Sequence, residues 1–142
     1  MRPRDDGRVI VSIVTMTDAS VAASAAMQLA RDEGFAPRAT AEIGIAVREL
    51  ATNIVRHAGR GEVEVAFRAP DLVVCARNPA RATPELASAM TSVRTVGIAV
   101  SEDGRPRAGL GVGAAAVRRM TDEVEVDLSE GRVEVRARRR RS

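Results

Sequence analysis

The sequence predicts a two-layer α/β sandwich, a mixed and mostly antiparallel sheet covered on one face by helices. Three observations predict it. Residues 62–68, 122–128 and 132–136 alternate polar and apolar side chains, the pattern of half-buried strands. Neighbouring strands are joined by short turns, which makes hairpins and therefore antiparallel partners. Two longer stretches repeat apolar residues at helical spacing, and their stripes need a sheet face to bury against. At 142 residues the chain is long enough for one domain with a real core.

Arg8 to Met16, apolar and β-branched, predicts the first strand. Thr17 or Asp18 can cap a helix running to about Glu33 and stopped by Gly34. Its apolar positions, Val21, Ala25, Met27, Leu29 and Ala30, are mostly small and predict close packing. A second helix starts between Pro37 and Thr40 and runs to His57, ahead of Gly59 and Gly61. Ile43, Val47, Leu50 and Ile54 form one core-facing stripe along it, and Ala46, Glu49, Asn53 and His57 the stripe beside that. Glu62–Arg68 and Asp71–Ala76 predict a hairpin whose second arm is the more buried. Pro84 to Met90 predicts a short helix, and Thr91 to Ala108, with no period and with Gly97, Gly104 and Pro106, a mobile loop. A helix after Gly113 runs to about Thr121, with Val117 and Met120 on its core side. Asp122–Leu128 and Arg132–Arg136 close the chain as a hairpin. The order is β-α-α-β-β-(α)-α-β-β. Residues 1–7 form a flexible lead, 8–136 the domain, and 137–142 a basic tail, disordered over Arg138–Arg141.

Composition excludes several functions. All 22 basic side chains are Arg, consistent with a compositional bias, and the net charge is only +3, so basicity by itself gives a weak nucleic-acid signal. Trp and Tyr are absent and Phe35 and Phe67 are the only aromatics, which leaves no stacking platform for single strands. The lone Cys75 excludes an internal disulfide and a cysteine-based zinc site. It reads as an inert strand residue without a cationic partner. No apolar run is long enough to span a bilayer, and the first residues lack the apolar stretch of a signal peptide. These features predict a cytoplasmic protein.

The chemistry concentrates in two places. Glu49 and Asn53, at i and i+4, leave one face of the second helix, where a carboxylate and a carboxamide can together hold Mg²⁺ and activate a hydroxyl or water. Taken alone such a pair is more often a solvated polar stripe. Gly109-Leu110-Gly111-Val112-Gly113 is a glycine-rich loop entering a helix, a backbone suited to phosphates. Together they predict a nucleotide site assembled from distant parts of the chain. His57 reads as a helix-end residue, and Arg77 and Arg81 as surface charge.

The pattern Glu49-Leu50-x-x-Asn53-x-x-x-His57-Ala58, with the glycine loop and the following helix ending Arg118-Arg119-Met120-Thr-Asp-Glu123, resembles the bacterial anti-sigma-factor serine kinases. These belong to the histidine-kinase-like ATPase superfamily, with its Bergerat-type fold. Within it, the short chain and Gly111-Val-Gly-Ala-Ala-Ala-Val-Arg-Arg-Met120 look most like the stressosome switch kinase. The resemblance spans roughly Val9 to Arg136. It implies that Glu49 is the general base toward a substrate serine and that Asn53 offers its carbonyl oxygen to Mg²⁺ on ATP. It further implies that Gly109, Leu110, Gly111, Val112 and Gly113 wrap the phosphates, and that Arg105 and Arg107 neutralise the transferring phosphoryl group. The implied substrate is an anti-sigma-antagonist (STAS-type) domain, with a phosphatase or a sigma factor as further partners.

The chain departs from the family at the adenine motif, Asp-x-Gly-x-Gly. Asn78 stands at the aspartate, Ala80 and Ala82 at the glycines, and Arg77 and Arg81 bring charge foreign to an adenine pocket. An asparagine still accepts from the adenine amine, through a bond about half as strong as a charge-assisted one. Two readings follow: an ATP-dependent protein-serine kinase, and a binding module using the same fold without phosphoryl transfer. A third, nucleic-acid binding through Arg138–Arg141, predicts affinity that collapses with salt.

Overall fold

A computed structural model of the chain describes residues 7–79, 112–129 and 131–141. The elements in order are β1 (Arg8–Ile13), α1 (Met16–Asp32), α2 (Pro37–His57), β2 (Gly61–Arg68), β3 (Asp71–Pro79), α3 (Val112–Met120), β4 (Glu123–Ser129) and β5 (Arg132–Arg140). The five strands form one sheet in the order β1-β2-β3-β5-β4, and all four pairings are antiparallel. The chain leaves β3 in mid-sheet, returns through α3 to the far edge as β4, and turns back as β5 to fill the gap.

Alternation decides which face is covered. Val9, Val11 and Ile13, then Val63 and Val65, Leu72, Val74 and Ala76, Val124 and Val126, and Val133, Val135 and Ala137 all join one buried core with the helices. From α2 the core takes Ile43, Val47, Leu50 and Ile54, the predicted stripe, each no more than 4% exposed. From α1 it takes Ala19, Ala22, Ala23, Ala26, Leu29 and Ala30, and the alanines let α1 lie close to α2 and the sheet. The approach is close enough that a Cβ on Gly44 of α2 would sit 2.6 Å from Met27 Sδ of α1.

Several boundaries differ from expectation, each for a local reason. Thr15, not Thr17 or Asp18, caps α1: its Oγ1 accepts from the Asp18 N–H (3.3 Å), while Asp18 Oδ2 accepts from the Thr15 and Val14 N–H groups (2.9 Å each). This capping box ends β1 at Ile13, before the expected Met16. Those backbone hydrogen bonds from Thr15 and Val14 also hold the Asp18 carboxyl below its ordinary pKa. Helix α3 starts at Val112, so Val112 and Gly113 belong to its first turn instead of the loop before it. Strand β3 continues past Ala76 to Pro79 because β5 runs beside it, pairing Asn78 with Val133 and Pro79 with Arg132.

The largest correction concerns the expected end of β5 at Arg136. Ala137 is buried and Arg138, Arg139 and Arg140 pair with Val73, Leu72 and Asp71, so Arg138–Arg140 are strand, not disordered tail. The arginines are placed by partners. Arg138 contacts Glu123 (2.9 Å) and Asp71 (3.6 Å), and Arg141 donates to the Glu33 carbonyl at the end of α1 (3.0 Å) while lying 5.1 Å over the Phe67 ring.

The short helix expected at Pro84–Met90 and the loop expected at Thr91–Ala108 lie outside the described residues.

Candidate functional site

Strand β3 separates two chemistries. On the open side of the sheet Arg77 bridges Glu64 (2.9 Å) and Glu134 (2.6 Å), with all three side chains 20% exposed or less. The expectation that Arg77 adds charge to an adenine pocket is therefore corrected: strand alternation turns it away from the helices, into an ion-paired cluster. Cys75, buried on that same face, lies directly across from Arg136. The contact corrects the expectation that no cation is near. The Cys75 side chain first, then the Glu134 and Glu125 carboxylates, raise the pKa of Arg136 above the ordinary arginine value.

Asn78, one residue on, occupies the helix-covered side. Its Nδ2 donates to the Pro79 carbonyl (2.8 Å), and among the described residues its Oδ1 accepts nothing. Gly61 fixes its distance from α2. A Cβ on Gly61 would meet the Arg77 carbonyl oxygen, Ile54 Cγ2 at 2.9 Å and Asn78 Cβ at 3.0 Å. Only glycine lets β2 begin in this slot, and its lack of a side chain brings the end of β3 against the Ile54 level of α2. In sequence Gly61 reads as a helix stop; its packing role has no signature in local sequence.

Along α2 the second stripe grades from core to solvent. Ala46 is buried, Glu49 and Asn53 half-buried, and His57 exposed as the last residue of the helix. Among the described residues neither Glu49 nor Asn53 has a hydrogen-bond or ion-pair partner. Asn53 precedes Ile54, the residue of α2 that meets the Gly61 slot, and Glu49 stands one turn further up the helix.

Helix α3 completes the wall. Arg139 Nη1 donates to the carbonyl of Met120, the last residue of α3 (2.7 Å), and reaches Glu42 Oε1 of α2 (2.9 Å). A guanidinium at a helix C-terminus satisfies an orphan carbonyl and matches the dipole. The Arg139 hydrogen bond, with the Arg139 and Arg38 charges behind it, holds the Glu42 carboxyl below its ordinary value. Helix α3 packs on α2, and this clasp ties its C-terminal end to Glu42, near the start of α2. A helix N-terminus carries unpaired backbone N–H groups and a positive dipole end, both suited to an anion.

The structure therefore gathers Glu49, Asn53, Asn78 and the α3 start, with Val112 and Gly113, on one side of the sheet. Arg105, Arg107, Gly109, Leu110 and Gly111, like Ala80, Arg81 and Ala82, lie outside the described residues. Among the described residues no three His, Cys, Asp or Glu side chains meet as a metal cage, and no helix is long and apolar enough to cross a membrane.

Comparison with known proteins follows the same outline. Residues 14–139 match the histidine kinase-like ATPase domain. Among solved structures, the chain is similar to one from the SiaB–SiaC complex of Pseudomonas aeruginosa: TM-score 0.69 at 14% identity, over 92% of this chain and 87% of that one. At that identity the likeness establishes the fold alone. No curated protein sequence matches.

Proposed function

The chain belongs to the histidine kinase-like ATPase domain family, and on that premise we propose that it is an ATP-dependent protein-serine kinase of the anti-sigma type, acting on an antagonist (STAS-type) domain and so switching partners. The observation that supports this reading is that Glu49, Asn53 and Asn78 share the helix-covered side of the sheet with α3, which packs on α2. The residues fit the nucleotide. Asn78 offers an adenine amine a carbonyl oxygen that accepts nothing among the described residues, its N–H₂ group being turned to Pro79. A Mg²⁺ ion would share its shell between Asn53 and phosphate oxygens, as Mg²⁺ commonly does.

In this mechanism Glu49 accepts the proton of the substrate serine hydroxyl, and its half-buried position keeps it within reach of a docked protein. Asn53 would hold the Mg²⁺ through Oδ1. The backbone N–H groups of Val112 and Gly113 meet phosphate charge at the positive end of α3. Arg105, Arg107, Gly109, Leu110 and Gly111 extend that cradle in the sequence. ATP supplies the transferable γ-phosphoryl group. Likeness to a protein solved in complex with another supports a partner-binding role for this chain as well.

A second reading is favoured by Asn78 itself, a neutral acceptor where the family carries a carboxylate: a partner-binding module that does not transfer phosphate. Incubation with labelled ATP, Mg²⁺ and an antagonist domain separates the two. The kinase reading predicts labelling of a serine, lost in Glu49→Gln while ATP is still bound. No labelling despite ATP binding overturns it in favour of the module.

A further inference from the structure

The face of the sheet turned away from the helices is not flat. Ala66 on β2 lies opposite Val73 on β3, and Cys75 is the next residue on that face of β3. Ala66 and Cys75 are each 6% exposed, and Val73 is half-buried. The side chains around these three small ones are long: Arg68 and Glu64 along β2, Arg77 along β3, and Arg136 and Arg138 opposite Cys75 and Val73 on β5. Long side chains standing round short ones leave a hollow of about 330 Å³, with an apolar floor and charged walls. Hollows of that size, apolar with a few placed charges, are where small organic molecules bind.

Pairing decides which wall charges are free. Arg77 is held by Glu64 and Glu134, and Arg138 by Glu123 and Asp71. Arg136, 52% exposed, reaches only Glu134 at 3.6 Å, and that carboxylate already takes the 2.6 Å bond from Arg77. Arg68 is exposed and has no ion-pair partner among the described residues. These two guanidinium groups are the uncommitted cations of the hollow. Arg68 lies across from Asp71 and Arg136 across from Cys75, so they stand at opposite corners of the floor with Val73 between them. At ordinary sheet spacings their Cα atoms are roughly 17 Å apart, too wide for one small carboxylate group and suited to an anion charged at both ends. We propose that this hollow binds a small aliphatic dicarboxylate, its apolar middle on Ala66, Val73 and Cys75 and its two ends on Arg68 and Arg136. Each guanidinium offers a carboxylate two parallel N–H donors. A large acidic protein surface is the wrong occupant, because laid across β5 it would meet Glu123, Glu125 and Asp127 in the next strand. A small ligand stays inside that row.

The test is a titration of the intact, nitrogen-15-labelled chain at neutral pH with octanedioate, and in parallel with octanoate, followed by amide NMR shifts. The expected result is saturable movement of the Ala66, Val73 and Cys75 amides with octanedioate, and binding of octanoate weaker by roughly tenfold, the loss of one charge-assisted contact. Arg68→Gln and Arg136→Gln should each weaken octanedioate by a similar factor and leave octanoate less affected. Both side chains are exposed, so the fold, followed by circular dichroism, is retained. Arg132→Gln, on the same strand as Arg136 but outside the hollow, leaves binding unchanged. Saturating ATP and Mg²⁺ also leave it unchanged, since the hollow lies on the opposite face from Asn53 and Asn78. Absence of saturable shifts, equal binding of the two acids, indifference to either arginine, or shifts centred on α2 and α3 overturns the proposal.

Discussion

Arg77 and Asn78 are adjacent in β3 and serve opposite faces of the sheet: Arg77 closes a carboxylate–arginine–carboxylate bridge between Glu64 and Glu134, and Asn78 stands beside Ile54 of α2. A position that in sequence looks like one mixed cationic motif is thus two independent devices, and they are separable by mutation.

Replacing Arg77 with Met leaves Glu64 and Glu134 facing each other at low exposure. The expected cost is about 3 kcal/mol in urea unfolding, the lower end of the range for breaking a buried pair. Nucleotide affinity should be unchanged, since the side chain points away from the helices. Loss of affinity at full stability would contradict that placement.

Asn78→Asp has the opposite profile. A carboxylate accepts from an adenine amine with about 1 kcal/mol more than the carboxamide, so calorimetry should show ATP binding roughly 5-fold tighter. The same change removes the donor to the Pro79 carbonyl and sets a charge near it, so some stability is lost.

Two glycines rank differently although both are crowded. Gly61→Ala drives a methyl into the backbone carbonyl of Arg77, which cannot swing away, and should cost more than about 2 kcal/mol. Gly44→Ala meets only the flexible end of Met27, and the gain of about 1 kcal/mol in helix propensity offsets the repacking. Chemical denaturation of both variants checks the order.

The Glu42–Arg139 clasp predicts a pH dependence. Glu42 titrates lower in the folded chain than its ordinary 4.5, because Arg139 donates to the ionised form. The contribution is fully present above that ordinary value and is lost as pH falls through the lowered folded one. The stability difference between the native chain and Glu42→Gln should accordingly be seen at neutral pH and disappear in acid. A difference independent of pH would locate the effect in packing instead.

Much of this is legible in the sequence. Alternation and apolar stripes identify every described element, because burying one face imposes a period that side chains must obey, and Ile43, Val47, Leu50 and Ile54 form the core stripe that their spacing predicts. The Glu49/Asn53 face is equally legible, since i and i+4 on a helix fix direction without tertiary information. Three things are not. The length of β5 depends on partners far away in sequence, Glu123 and Asp71 for Arg138 and Glu33 for Arg141, and a run of arginines looks like a tail until those carboxylates and carbonyls are in place. The facing of Arg77 turns on one residue of strand register past the expected end of β3. Gly61 is needed only because the Arg77 carbonyl passes close by, a contact no local pattern announces.

The most direct test of the central claim is a calorimetric titration of the intact chain with ATP and Mg²⁺, beside Asn53→Ala. A nucleotide site between α2, β3 and the start of α3 predicts micromolar binding that depends on Mg²⁺ and weakens at least tenfold in Asn53→Ala, the loss of about 1.4 kcal/mol expected for one metal-orienting ligand. No heat from the intact chain, or binding indifferent to Asn53, would contradict it.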